Sequence, residues 1–185
     1  MNGLKLEHLL LEPLEQRLVT TEPAMNHAQL WEQSLRLAAG LHARGIQRVA
    51  VHLEDAGLLA IALLGAWRAG VGVLLPADLQ PQTRQRWADA VDTWLTDAAD
   101  LDALYQAPLS PAALDLDACQ LSLCTSGSSG EPKRIDKTLR QLANEVQALE
   151  ALWGADLKDA CIIGSVATQH IYGLLFRVLW PLCAG

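Results

Sequence analysis

From Asn26 to Leu75 helix-period and strand-period segments alternate, each with its own stop, and this alternation limits the fold more than any other feature. Asn26 followed by Gln29 is close to a capping box. Leu30, Ser34, Leu37, Ala38 and Leu41 then share one helix face, and Arg44-Gly45 is an ordinary helix end. Residues Val49 to Leu53 read as a strand. Asp55 is placed to cap a helix carrying Leu58, Leu59, Ala62, Leu63 and Trp67, which stops at Gly70. Val71 to Leu75 is the next strand, closed by Pro76. A short helix around Thr83 to Ala90 and a strand at Thr93 to Thr96 follow. Strands separated by helices of this length predict βαβ units: an α/β fold with a largely parallel sheet flanked by helices.

The second half carries the chemistry. Residues 101–117 mix acids and prolines with little periodicity and read as a connecting stretch between a first βαβ portion (1–100) and a second portion (118–185). There, an apolar strand at Gln120 to Cys124 runs into Thr125-Ser126-Gly127-Ser128-Ser129-Gly130-Glu131-Pro132-Lys133, and a second strand follows near Arg134 to Lys137. Gly127 and Gly130 admit positive φ and close backbone approach. Successive amides in such a loop form an anion-binding concavity. Thr125, Ser126, Ser128 and Ser129 add hydroxyl donors, and Lys133 adds a compact cation. The loop suits phosphate, yet it is not the G-x-x-x-x-G-K-[ST] pattern, because Pro132 precedes the lysine and a strand, not a helix, follows. The competing reading is a flexible Gly/Ser linker, although a linker has no reason to end in Pro-Lys between apolar strands. Beyond the loop, Thr138-x-x-Gln141 is a capping box for a helix lined by Leu142, Val146, Leu149 and Trp153, ended by Gly154. Cys161 to Ser165 reads as another buried strand.

Composition narrows the partners. A chain of 185 residues can bury a good core. A net charge of −7 argues against a nucleic-acid partner, which favours a basic face. Cys119, Cys124, Cys161 and Cys183 sit in apolar stretches without C-x-x-C spacing, as buried thiols of a reducing cytoplasm do. No metal site is expected from them. No signal peptide is visible. The apolar run from Ala56 to Leu75 is interrupted by Arg68 and Gly70-Val71-Gly72, so it reads as a buried helix and strand, not a membrane span.

The loop resembles the phosphate-binding signature of the adenylate-forming enzymes: acyl- and aryl-CoA synthetases, luciferases and peptide-synthetase adenylation domains. Their loop reads approximately T-S-G-[ST]-[ST]-G-x-P-K-G, and this chain departs only in the last position, Arg134. The stretch from His27 to Leu75 is similar to the opening of the same family, with Ala43-Arg44-Gly45, Val49-Ala50-Val51 and Arg68-Ala69-Gly70-Val71 in order. Residues Val166 to Gly185 resemble the family segment P-x-x-H-x-x-G followed by an apolar helix, here without the proline before His170.

The resemblance implies part of the large N-terminal domain of an adenylate-forming enzyme. The implied function is an ATP-dependent carboxylic acid ligase that makes an acyl adenylate and passes the acyl group to CoA or to the phosphopantetheine of an acyl carrier protein. Mg2+ accompanies the ATP. Thr125, Ser126, Gly127, Ser128, Ser129, Gly130 and Lys133 would hold the phosphates. His170 would border the reacting carboxylate, with Gly173 shaping the acyl pocket. The family's ribose-binding aspartate and C-terminal lysine match nothing between Met1 and Gly185, so this stretch is expected not to turn over alone. Ile171, Leu174, Leu175, Val178, Leu179 and Leu182 are expected to lie uncovered and to favour self-association. A non-catalytic nucleotide-binding or interaction module stays open as the other class of function.

Overall fold

The computed structural model describes residues 3–118, 120–125, 133–155 and 160–184. Its centre is a sheet of five described strands in the order β5-β3-β4-β6-β7: Thr93–Leu95, Arg48–Val51, Gly72–Leu75, Gln120–Thr125 and Lys133–Thr138. The first four run parallel, and β7 returns antiparallel beside β6. A short antiparallel hairpin, β1 (Leu18–Thr21) and β2 (Ala24–Asn26), precedes them and was not legible as strands.

The helices begin and end where the side chains dictate. Helix α1, His27–Ala43, opens on Asn26, whose side chain accepts from the Gln29 N–H while Gln29 accepts from the Asn26 N–H, both at 2.9 Å. Helix α2, Ala56–Arg68, is capped by Asp55, which accepts from the Leu58 N–H at 2.7 Å. Gly45 and Gly70 follow these helices at φ 66° and 73°, the left-handed region that favours glycine. Helix α3 (Pro81–Trp87) lies between β4 and β5, and the short α4 (Ala98–Asp102) opens the irregular stretch that reaches β6. Helix α5, Leu139–Trp153, starts on the reciprocal Thr138–Gln141 cap.

Strand alternation divides the sheet. Val49, Val51, Val73, Leu75, Leu121 and Leu123 face the main core with α1, α2 and α5. Ala50, Leu74 and Cys124 face the other way, under Trp87, Val91 and Trp94. The chain closes with a helical run, α6 (Ile171–Leu174), a π-helical turn (Leu175–Leu179) and α7 (Trp180–Ala184).

Four expectations need correction. Residues 161–165 form no strand; Ile163 is 92% exposed, with no strand beside it among the described residues to take up its backbone. Cys161 is therefore exposed, while Cys124 and Cys183 are buried. Leu174, Leu175, Val178, Leu179 and Leu182 are not uncovered: the C-terminal run folds back and places them in the main core, with Ile171 half-buried against it. Exposed apolar side chains in this part of the chain include Ile162, Ile163, Val166 and Tyr172. Trp153, expected in the core, is 45% exposed at the end of α5, where its ring meets Phe176 and Trp180.

No described helix is long and apolar enough to cross a membrane.

Candidate functional site

Parallel strands end together, so the segments leaving β3, β4 and β6 share one edge of the sheet. Strand order reverses between β3 and β4: β4 adjoins β3 on one side, and the next strand, β5, pairs on its other side. Open α/β sheets place ligands at the carboxyl ends of the strands beside such a reversal.

The hairpin β6–β7 brings Thr125 and Lys133 into register across the strands, at the point where residues 126–132 leave and return. Of the expected phosphate-binding residues, Ser126, Gly127, Ser128, Ser129 and Gly130 lie outside the described residues. Lys133 is exposed at the start of β7. Its basic neighbours on β7 are each paired with a carboxylate. Arg134 is held bidentately by Asp136, Nε–Oδ1 at 2.7 Å and Nη2–Oδ2 at 2.9 Å. Lys137 pairs with Glu145 at 3.0 Å. The Ser122 hydroxyl also donates to Asp136 Oδ1, at 2.6 Å. The Arg134 guanidinium, and after it Ser122, holds the Asp136 carboxyl below the usual carboxylate range.

His170 reaches the same edge from the far end of the chain. It is the exposed N-cap of α6, and its side chain makes no capping bond. Its N–H donates to the Ala167 carbonyl at 3.1 Å, and its carbonyl accepts from Leu174 N–H at 2.8 Å. The imidazole borders a cavity of ≈ 300 Å³ with Leu123, Ile135, Lys137, Glu145 and Tyr172. The structure thus brings His170 beside both strands of the hairpin. The sequence signals no role for Thr168 and Gln169, which are 1% and 6% exposed and both bind the Leu53 carbonyl just past β3. The available signal is a hydroxyl and an amide in an otherwise apolar stretch.

Gly173 borders a second, apolar cavity of ≈ 670 Å³ with Trp153, Ile162, Phe176 and Trp180. A Cβ at Gly173 would meet the Ala167 carbonyl oxygen at 2.1 Å. Close backbone approach by itself therefore demands glycine here. Cys124 borders the first cavity, and burial pushes its thiol up to about 11. Among the described residues no group of three or more His, Cys, Asp or Glu side chains could hold a metal ion.

No family model matches the chain. It is 30% identical over 159 residues to syringomycin synthase SyrB1 of Pseudomonas syringae pv. syringae, covering 73% of this chain and 26% of that protein. It is 28% identical over 145 residues to the nonribosomal peptide synthetase otaB of Aspergillus carbonarius, covering 67% of this chain and 8% of that protein. In structure it is similar to ATP-bound MatB from Rhodopseudomonas palustris, with a TM-score of 0.74, 20% identity, and coverage of 99% of this chain and 44% of that one. It is also similar to the o-succinylbenzoate CoA synthetase MenE of Bacillus subtilis, solved with the acyl-adenylate intermediate OSB-AMP. There the TM-score is 0.66 at 20% identity, with coverage of 90% of this chain and 50% of that one. The chain spans about a quarter of the length of the first of these curated relatives and half or less of the two solved structures.

Proposed function

The chain belongs to the adenylate-forming superfamily, and on that premise we propose that it carries the phosphate-binding part of an ATP-dependent carboxylic acid ligase. In this reading a carboxylate oxygen attacks the α-phosphorus of ATP. The new acyl–oxygen–phosphorus link forms as the bond to pyrophosphate breaks. A thiolate of CoA or of a carrier-protein phosphopantetheine then attacks the acyl carbon and releases AMP.

Each residue has a place in that chemistry. Thr125, Ser126, Ser128, Ser129 and the amides around Gly127 and Gly130 donate to the β- and γ-phosphate oxygens. Lys133 offsets the charge that builds on the leaving pyrophosphate, the transition-state electrostatics that dominate phosphoryl transfer. His170 borders the acid's carboxylate, and Gly173 keeps the turn behind it tight. Mg2+ would arrive on the ATP phosphates, neutralising them. MenE was solved with ATP and magnesium ion.

The observation that carries this reading is the shared edge. The register of Thr125 with Lys133 fixes where the loop residues leave the sheet, and the His170 cavity opens against the same hairpin. The loop sequence T-S-G-S-S-G-E-P-K supplies the donor types.

Calorimetric titration with ATP tests the reading. Lys133→Ala combined with Ser128→Ala should weaken binding while leaving the melting temperature unchanged, because Lys133 is exposed. Each charge-assisted hydrogen bond lost costs about 1.5–3 kcal/mol. ATP–pyrophosphate exchange by the full-length protein across aryl, short- and medium-chain acids then separates ligase from binding module. Exchange supports the ligase, and ATP binding without exchange supports the module. A full-length wild type that binds no ATP overturns the ligase and the nucleotide-binding module alike.

A further inference from the structure

Three regions outside the proposed phosphate contacts could carry a role: the apolar cavity at Trp153, the Arg134–Asp136–Ser122 network, and the buried polar pair before His170. The observations carry the third furthest. Thr168 Oγ1 donates to the Leu53 carbonyl at 2.9 Å, and Gln169 Nε2 donates to the same oxygen at 3.0 Å. Their side chains reach across 115 and 116 residues of sequence to a single acceptor. A carbonyl oxygen has two lone pairs, so two donors saturate it. Leu53, Thr168 and Gln169 are all buried, where each such bond is sheltered from water.

Leu53 lies two residues beyond β3, at the crevice where strand order reverses. The bonded pair therefore seats the 167–170 turn on the rigid sheet. His170 is the next residue, and its own side chain makes no capping bond, so its turn is held by backbone bonds and by the Thr168–Gln169 pair. Position 167, three before the histidine, is alanine, where the family segment has proline. A proline stiffens such a turn by fixing φ; here two side-chain hydrogen bonds do the fixing.

We infer that Thr168 and Gln169 are positioning residues for His170, latching its turn to the carboxyl end of β3 so that the imidazole faces the cavity beside β6 and β7. This rests on the reading above, in which His170 borders the reacting carboxylate. Misplacing a group by about 1 Å can cost on the order of 10²-fold in rate.

The test compares Thr168→Val with Gln169→Leu, singly and together, and Thr168→Ser as the variant that keeps the hydroxyl. Amide hydrogen exchange at His170 and Leu174 is read against Leu63 in the core. The double variant should exchange at His170 about tenfold faster or more, with Leu63 unchanged, and Thr168→Ser should match the wild type. If the double variant fails to fold, the single variants, each keeping one donor, carry the same comparison. His170 exchange unaltered in a folded variant overturns the latch.

The second readout is ATP–pyrophosphate exchange by the full-length protein in His170 and His170→Ala backgrounds. Loss of the latch should lower the rate roughly 10- to 100-fold with His170 present. With His170→Ala it should change the rate only marginally, because the group being positioned is gone. Equal losses in both backgrounds overturn the positioning role and leave a purely structural one. A full-length wild type that exchanges no pyrophosphate overturns the function proposed above, and the His170 amide then decides the latch by itself.

Discussion

His27 is fully buried at the head of α1, where its Nδ1 accepts from the Leu14 N–H at 3.2 Å. Burial, and after it the nearby Arg17 guanidinium, pushes the imidazole below its ordinary value of about 6.5. A histidine with a depressed folded value binds its proton more readily when unfolded. Stability is therefore full above the unfolded value and falls as pH drops from there towards the folded value. Urea melts at pH 7.5 and 5.5 should show that loss, and His27→Gln should shrink the difference between the two whatever it does to absolute stability. An equal pH dependence in the variant would place the titration elsewhere. At this scale the sequence reveals residue types and little about partners. Arg134 and Lys137 are cations in the sequence, and the structure pairs them with Asp136, two residues along the same strand, and with Glu145 on α5.

At the scale of elements, caps and periodicity were the most legible features, because they are local chemistry. Asn26, Asp55 and Thr138 each accept from a backbone N–H three residues on. Helix α5 is the most informative of the three, since its outer face is exposed and β7 feeds directly into it. Thr138→Ala removes one half of its capping box and should cost about 1 kcal/mol, measured as a lower urea midpoint at constant slope. Thr138→Ser should restore it. The strand expected at 161–165 shows the limit of periodicity. An apolar run is only a strand when a neighbouring strand satisfies its backbone, and no described strand lies beside this one. The missed β1–β2 hairpin is the converse: its strands are only four and three residues long and partly exposed, too short for an apolar alternation to announce them.

At the scale of the whole molecule, the C-terminal run decides what is core and what is surface. Arg17 Nη2 donates to the Leu182 carbonyl and Leu4 N–H to the Cys183 carbonyl, tying the run to the N-terminal segment. Trp180 Nε1 donates to Glu150 at 2.7 Å, tying it to α5. Leu179→Ala should therefore cost about 2–5 kcal/mol, as other buried leucine truncations do. Ile163→Ala should stay within about 0.5 kcal/mol of wild type. Similar losses at both positions in thermal melts would contradict the burial described here. The sequence by itself determined the α/β class, the helix caps, the parallel strand order's raw material and the loop whose residue types suit phosphate. Each of these rests on interactions within a few residues of one another or on the period of a single segment. Only the tertiary structure decided which apolar faces meet, and that Thr168 and Gln169 bond the Leu53 carbonyl and seat His170 there. Those pairings close loops of up to 116 residues, and contacts at that separation leave no periodic trace in a sequence, because they are fixed by the packing of the sheet and not by neighbours along the chain.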